Sequence, residues 1–363
     1  MTARSQKNLN KKSKSRSRSN TFKVTWQGAL QDYVTALAWS PDGTGLAVSS
    51  SSGEVVFWSA DSELVPLLSA QADGAINCLG FSADGAYLAA AGQQGDVFVW
   101  AVQALDQPPT VLQHPSIWVD RLAWHPHQPW LAFGIGSQVQ LWDVAQGQSL
   151  TQLDFKKSSV LGLAWHPEGT LLAASGHSGI KVWSSDDWQA KPEFIEVPGA
   201  SIFVAWSSDG RYLASGNLDR TLTVVSWGHP PPWLMQGFPG KVRQVDWAMP
   251  VADRPSLVAA ACLEGITVWQ RQGQGWENQV LTQHDGTVVA IAFHPTARLL
   301  ASAAQDGHLC LWKNAKSLQQ TLKGVAAGFS AVAWHPQGDY LAAGGNQGEI
   351  LIWQPKTQGQ GFQ

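Results

Sequence analysis

Eight tryptophans set the frame for this chain. Trp58, Trp100, Trp142, Trp183, Trp227, Trp269, Trp312 and Trp353 follow one another at intervals of 42, 42, 41, 44, 42, 43 and 41 residues. Each ends a unit that is clearest at His284 to Trp312, HDGTVVAIAFHPTARLLASAAQDGHLCLW. There Val288, Ile291 and Phe293 run into a His-Pro turn, Leu299 to Ala303 into an Asp-Gly turn, and Leu309 to Trp312 close the copy. Short apolar runs punctuated by turn residues predict three antiparallel strands per unit. A second series of anchors closes the first strands at Trp39, Phe81, Trp124, Trp165, Trp206, Trp247, Phe293 and Trp334. A period near 42 is longer than the ~33 to 34 residues of helical repeats and suits units of four strands.

A fourth, outer strand is predicted between units at 64–68, 110–113, 150–155, 193–197, 233–236, 279–282 and 318–322, which gives seven outer strands for eight triplets. Phe22 to Gly28, FKVTWQG, alternates as a strand before the first unit, whereas QPKTQGQGFQ after Trp353 has no strand pattern. The economical expectation is that Phe22 to Gly28 supplies the eighth outer strand and pairs with the last unit. Such closure removes the open ends that a linear array must cap.

The arrangement resembles the WD-repeat β-propeller family over residues 22 to 354. The turns at 39–43, 81–85, 165–169, 206–210 and 334–338 and the closing tryptophans carry the likeness. The resemblance implies an all-β, eight-bladed propeller of four-stranded antiparallel blades, and a hydrogen-bonded tetrad formed by His284, Ser302, Asp306 and Trp312. Elsewhere the tetrad is eroded: Ser52, Gln94 and Gln347 stand where its Asp belongs, and unit five has Val225 at the Trp register with Trp227 two residues later. Magnitudes explain why the fold survives this loss. A buried Trp removes ~150 to 250 Å² from water, roughly 4 to 6 kcal/mol as an upper bound, against ~0.5 to 1.5 kcal/mol net for a hydrogen bond. Small residues before the first-strand anchors (Ala38, Gly80, Ala123, Ala164, Ala205, Ala292, Ala333) let units approach one another, and Asp246 breaks the series.

Three divisions are expected: a disordered basic tail over 1–20, the propeller over 21–354 and a flexible tail over 355–363. The first twenty residues hold seven Lys and Arg and no acid, so the rest carries 17 basic against 27 acidic groups. Lys11, Lys12, Lys14, Arg16 and Arg18 in this tail could contact nucleic acid or another polyanion, or simply aid solubility. No 18-residue apolar run is present, and Cys78, Cys262 and Cys310 have no paired spacing, which points to a reducing, cytoplasmic setting.

In an antiparallel meander the loops into each first strand and the hairpins between second and third strands share one face, here the upper face. Its candidate partner-binding residues are Tyr33, Trp118, Asp120, Arg121, Phe203, Lys241, Arg243 and Phe329, since aromatics mixed with Arg mark binding hot spots. On the lower face GHPPPW and the long turn AMPVADRP suggest a second rim with His229, Trp233 and Arg254. His125, His166, His294 and His335 recur in equivalent turns, held apart by the repeat, and read as turn caps. No metal site, cofactor or catalytic residue is expected, because no H-E-x-x-H, G-x-S-x-G, phosphate loop or paired C-x-x-C occurs. The family likeness implies a non-catalytic scaffold that binds a peptide or protein partner in a larger assembly. The alternatives are a nucleic-acid or ribonucleoprotein adaptor working through the tail and a metal-handling accessory.

Overall fold

The computed structural model describes residues 21–60, 63–70, 74–115, 117–156, 158–252, 254–263 and 265–356. They are all-β; one 3₁₀ turn at Val102–Ala104 is the sole helical element among them. The described residues open with β1 (Phe22–Ala29), and then build sheets from consecutive strands. β2 (Val34–Trp39), β3 (Gly45–Ser50), β4 (Val55–Ser59) and β5 (Val65–Leu68) form the first. β6 (Ile76–Phe81), β7 (Tyr87–Gly92), β8 (Asp96–Ala101) and β9 (Thr110–Gln113) form the second, and β10 (Leu122–Trp124), β11 (Trp130–Ile135), β12 (Gln138–Asp143) and β13 (Gln148–Asp154) the third.

A six-stranded sheet follows: β14 (Gly162–Trp165), β15 (Leu171–Ser184), β16 (Glu193–Trp206), β17 (Tyr212–Asn217), β18 (Leu222–Ser226) and β19 (His229–Met235). Its long β16 pairs with β15 from Glu193 to Ala200 and with β17 from Ser201 to Trp206, so one strand serves as outer strand of one unit and first strand of the next. Then come β20 (Gln244–Trp247), β21 (Leu257–Cys262), β22 (Gly265–Gln272) and β23 (Gly275–Leu281), and β24 (Val288–Phe293), β25 (Leu299–Ala304), β26 (His308–Lys313) and β27 (Ser317–Lys323). The last triplet, β28 (Phe329–Trp334), β29 (Leu341–Gly345) and β30 (Glu349–Pro355), is completed by β1, which pairs antiparallel with β30 from Phe22↔Pro355 to Ala29↔Glu349.

Each sheet's second strand is almost wholly buried, because its two faces pack on neighbouring sheets and Ala or Gly thins it where they meet. The apolar clusters accordingly lie between sheets: Leu30, Val34, Trp39 and Trp58 pack with Ala342, Ile350 and Ile352, joining the β2–β5 sheet to the last one. First strands touch in succession, and β28 touches β2.

The turn histidines explain how neighbours are held. His335 Nδ1 accepts the Gln337 amide inside its own turn at 3.3 Å, so the proton sits on Nε2, which donates to Gly43 O of the β2–β5 sheet at 3.0 Å. The imidazole lies edge-on to Trp39 with centroids 5.0 Å apart, and Trp39 Nε1 donates back to Ala333 O at 3.2 Å. The same staple recurs with His125, Gly169 and Trp165, and with His294, Gly338 and Trp334; His166 reaches Gly210 O and Trp206 likewise, but Trp206 Nε1 has no partner among the described residues. The histidines therefore cap turns and bridge sheets at once. Gly43 has φ +77°, and a Cβ there would lie 2.2 Å from His335 Nε2, so both the turn and the staple require glycine.

Two expectations need correction. The proline-rich stretch after Trp227, expected as part of a rim, is an ordered edge strand: β19 pairs with β18 through Val224↔Trp233 and Ser226↔His229. Prolines are tolerated there because an edge strand has amides that need no ladder partner. Phe329 is not a partner-binding residue, since it is 0 % exposed and packs against Trp353 at 6.2 Å. The basic tail with Lys11, Lys12, Lys14, Arg16 and Arg18 and most of the C-terminal tail lie outside the described residues.

Candidate functional site

The upper face is built from the short segments that enter the first strands and from the hairpin tips beside them. Trp118 and Arg121 stand in the segment leading to β10. Val119, fully buried, pins this segment through its amide to Gly92 O at 3.0 Å. Trp118 before it is 59 % exposed and Ile117 is exposed beside it. Asp120 accepts from Asn77 Nδ2 at 2.5 Å, tying it to β6, while Arg121 donates from Nε to Leu161 O and from Nη1 to Asp120 O, each at 2.8 Å. Two neutral carbonyls hold this guanidinium and it forms no ion pair among the described residues, so it is fixed in place yet available to an anion.

The other expected residues are dispersed around the face. Lys241 and Arg243 are exposed on the segment into β20, and Tyr33 is 42 % exposed before β2, separated from Trp118 by the β6–β9 sheet. Phe203 on β16 is half-buried against the cluster containing Val242 and Val245, so it fills the interior more than it offers contact. Three exposed side chains escaped the sequence reading: Leu218, Arg220 and Leu263, at the β17–β18 and β21–β22 hairpin tips. The available signal was an apolar residue where a turn normally places a polar one.

On the lower face Trp233 is half-buried against Tyr212 and Trp276, with the Arg271 guanidinium 4.9 Å from its ring centre. It thus braces two sheets. His229 is exposed and bonds its own backbone at Trp227 O, and Arg254 borders a hollow with Arg211 and Pro250. The four tetrad residues are joined in a relay. Trp312 Nε1 donates to Ser302 Oγ at 2.9 Å, Ser302 meets His284 Nε2 at 2.8 Å, and His284 Nδ1 meets Asp306 Oδ2 at 3.0 Å. Burial lowers the His284 pKa despite Asp306; burial pushes the Asp306 carboxyl up, but the amides of His308 and Asp285, together with His284, bring it below its usual value. A neutral imidazole beside a carboxylate is a structural brace. In unit five Asn217 takes this place, bonding Ser215, Thr221 and Thr223.

Other titratable groups are poorly suited to chemistry. Burial pushes the Cys78 thiol up to about 12 and Cys310 up to about 11, so neither is a ready thiolate. Burial raises Asp246 to about 7, against the opposing pull of the Phe293 and Trp247 amides, which it accepts at 2.6 and 3.0 Å. Asp246 thereby joins β20 to β24. No cluster of three His, Cys, Asp or Glu suited to a metal occurs among the described residues, and no helix there is long and apolar enough to cross a membrane.

Comparison with known proteins adds family information. The model of the WD domain, G-beta repeat, matches residues 20–59, 62–101, 147–184, 198–226, 275–313 and 316–354, more than half of the chain. The stretches it passes over still hold the β10–β12 and β20–β22 triplets. The protein named protein transport protein SEC13 homolog B, from Arabidopsis thaliana, is 29 % identical over 111 residues, covering 28 % of this chain and 36 % of the relative.

Proposed function

The chain belongs to the WD-repeat family, and we propose that it is a non-catalytic platform whose upper face binds a peptide or protein partner within a larger assembly. In this reading the six-stranded sheet counts as two blades sharing β16, the propeller has eight blades, and β1 closes the ring. The succession of first-strand contacts and the β1–β30 pairing support that count.

Trp118 carries the functional reading. Of the tryptophans among the described residues, it alone is exposed rather than buried or half-buried in the scaffold. An exposed Trp next to an exposed Ile and a fixed Arg presents a large, rigid, amphipathic contact at little entropic cost. Leu218, Arg220, Leu263, Lys241 and Arg243 extend it around the rim. The relative's name refers to protein transport, and only 36 % of that protein is matched; a transport assembly is therefore one setting to examine. No observation among the described residues favours the nucleic-acid or metal alternatives, and neither is adopted.

The test is affinity purification with the intact chain beside a Trp118→Ala, Arg121→Ala, Arg243→Ala variant. Specific partners should be lost while the melting temperature holds. An unchanged partner list with intact folding would refute the assignment to this face.

A further inference from the structure

We propose that the hollow on the lower face between the turn 207–211 and the loop 248–256 binds an acidic side chain of a partner protein, an Asp or Glu flanked by apolar residues. The hollow has a volume of about 310 Å³, at the low end of small-ligand pockets and with room for one or two side chains. Arg211 and Arg254 line it, Trp247, Pro250 and Val251 give it an apolar wall, and Asp209 is the carboxylate among the described residues of its lining.

A local departure from the repeat opens this space. β20 and β21 are joined by nine residues, 248–256, where β16 and β17 are joined by five, 207–211. Ser207 stands at the turn position from which His166 and His335 reach the next sheet, but its short hydroxyl turns back, donating to Asp209 Oδ1 at 2.6 Å and accepting the Tyr212 amide at 2.9 Å. The loop is held by its own backbone: the Ala248 amide donates to Leu257 O and the Arg254 amide to Val251 O, each at 3.0 Å, and Arg298 Nη2 donates to Pro255 O at 2.5 Å. Within it Met249, Pro250, Val251 and Ala252 all stay exposed. Four successive apolar residues left in water on a held loop favour a covering surface. Asp253 lies outside the described residues and is no part of the site.

Charge selects what covers them. Arg211 Nε lies 3.7 Å from Asp209 Oδ2, and the other oxygen of that carboxylate accepts the Ser207 hydroxyl and the Arg211 amide, so Asp209 is committed to its own turn. Arg254 is exposed, and its guanidinium makes no hydrogen bond or ion pair among the described residues. Its field is felt behind the loop, where burial and then Arg254 disfavour the charge on Arg298. Two guanidiniums against one carboxylate leave a single positive charge in the lining, which a monoanion balances. A phosphate group, with about −1.5 to −2 charges, would overshoot and press against Asp209. A carboxylate accepts the guanidinium fork, and apolar neighbours on the same segment cover Pro250 and Val251. This site is on the opposite face from Trp118, so it stands or falls separately from the upper-face reading.

The experiment uses the full chain and a fluorescein-labelled, end-blocked peptide of alternating Glu and Leu, followed by anisotropy. Saturable binding is expected, with Arg254→Ala weakening it roughly tenfold, the scale of one charge-assisted contact. Val251→Ser should weaken it about threefold through the apolar wall, and remains informative if Arg254→Ala disturbs the loop. Lys191→Ala, which removes an exposed charge elsewhere, should leave it unchanged. A Gln-for-Glu peptide should not bind, a Ser-for-Leu peptide should bind markedly less well, and a phosphoserine-for-Glu peptide should bind no more tightly than the parent. Absence of saturable binding, parent affinity in both the Arg254→Ala and Val251→Ser chains, an equal loss in Lys191→Ala, equal binding of the Gln or Ser peptide, or tighter binding of the phosphopeptide would each overturn the proposal.

Discussion

Replacing Phe22 by Ala tests the joint between the two ends of the chain. Phe22 is 6 % exposed although it is the first residue of the first strand, and its ring meets Trp334 edge-on with centroids 5.6 Å apart. Gln320 on β27 grips its backbone on both sides, accepting the amide at 2.8 Å and donating to the carbonyl at 2.9 Å. Truncating a buried Phe to Ala costs about 3 to 5 kcal/mol where the surroundings cannot collapse. At about 2 °C per kcal/mol for a chain larger than 250 residues, the melting temperature should fall by roughly 6 to 10 °C. That loss has a ceiling, because β1 can detach once its docking energy is exhausted, and further truncation then costs nothing globally. Hydrogen exchange distinguishes the cases: detachment deprotects the amides of 22–29 and their partners on β30, while fraying touches only the first two residues. Phe194→Ala, at a 53 % exposed ring on β16, is the control and should stay within about 0.5 kcal/mol. A Phe22→Ala chain melting within about 1 °C of the parent, with unchanged exchange over 22–29, would refute the anchoring role.

Further outcomes follow from the same geometry. His335→Ala leaves Gly43 O without its donor and the face of Trp39 uncovered, and should lower stability by about 1 to 3 kcal/mol in urea titration. Burial lowers the pKa of His125, His284 and His294, so the unfolded chain binds more protons below its ordinary histidine pKa near 6.5; denaturant titrations across pH should show stability present above that value and lost as pH falls through it. Asp246 acts in the opposite sense: its folded pKa of about 7 lies above the unfolded 3.8, so its contribution falls as pH rises from 4 to 7, and Asp246→Asn should gain on the parent over that range. Trp118→Ala should weaken partner capture and move stability by no more than about 0.5 kcal/mol.

The strand framework was readable because Trp spacing and turn chemistry are local signals. The outer strand predicted at 110–113 and the β1 segment predicted from Phe22 coincide with observed strands to within a residue. The staples were not readable. That His335 is a turn cap follows from its neighbours in sequence, but its bond to Gly43, 292 residues away, exists only once sheets adjoin. The proline-rich stretch misled because its composition favours extended backbone whether or not a partner strand is present, and β18 provides one. At the candidate site, Trp118 was legible as an aromatic beside Arg121 in a segment that enters a first strand. Phe329 could not be separated from it by composition, since an aromatic at the start of a first strand points inward or outward according to packing. Leu218 and Leu263 were missed because single leucines in turns carry no periodic signal.

The central claim is that β1 closes the ring by pairing with β30. Hydrogen exchange of the amides in residues 350–354 measures it directly, in the full chain and in a chain beginning at residue 30. The account predicts that protection of these amides, strong in the full chain, collapses in the shortened one while β25 and β26 keep theirs. Equal protection of 350–354 in both chains would contradict it.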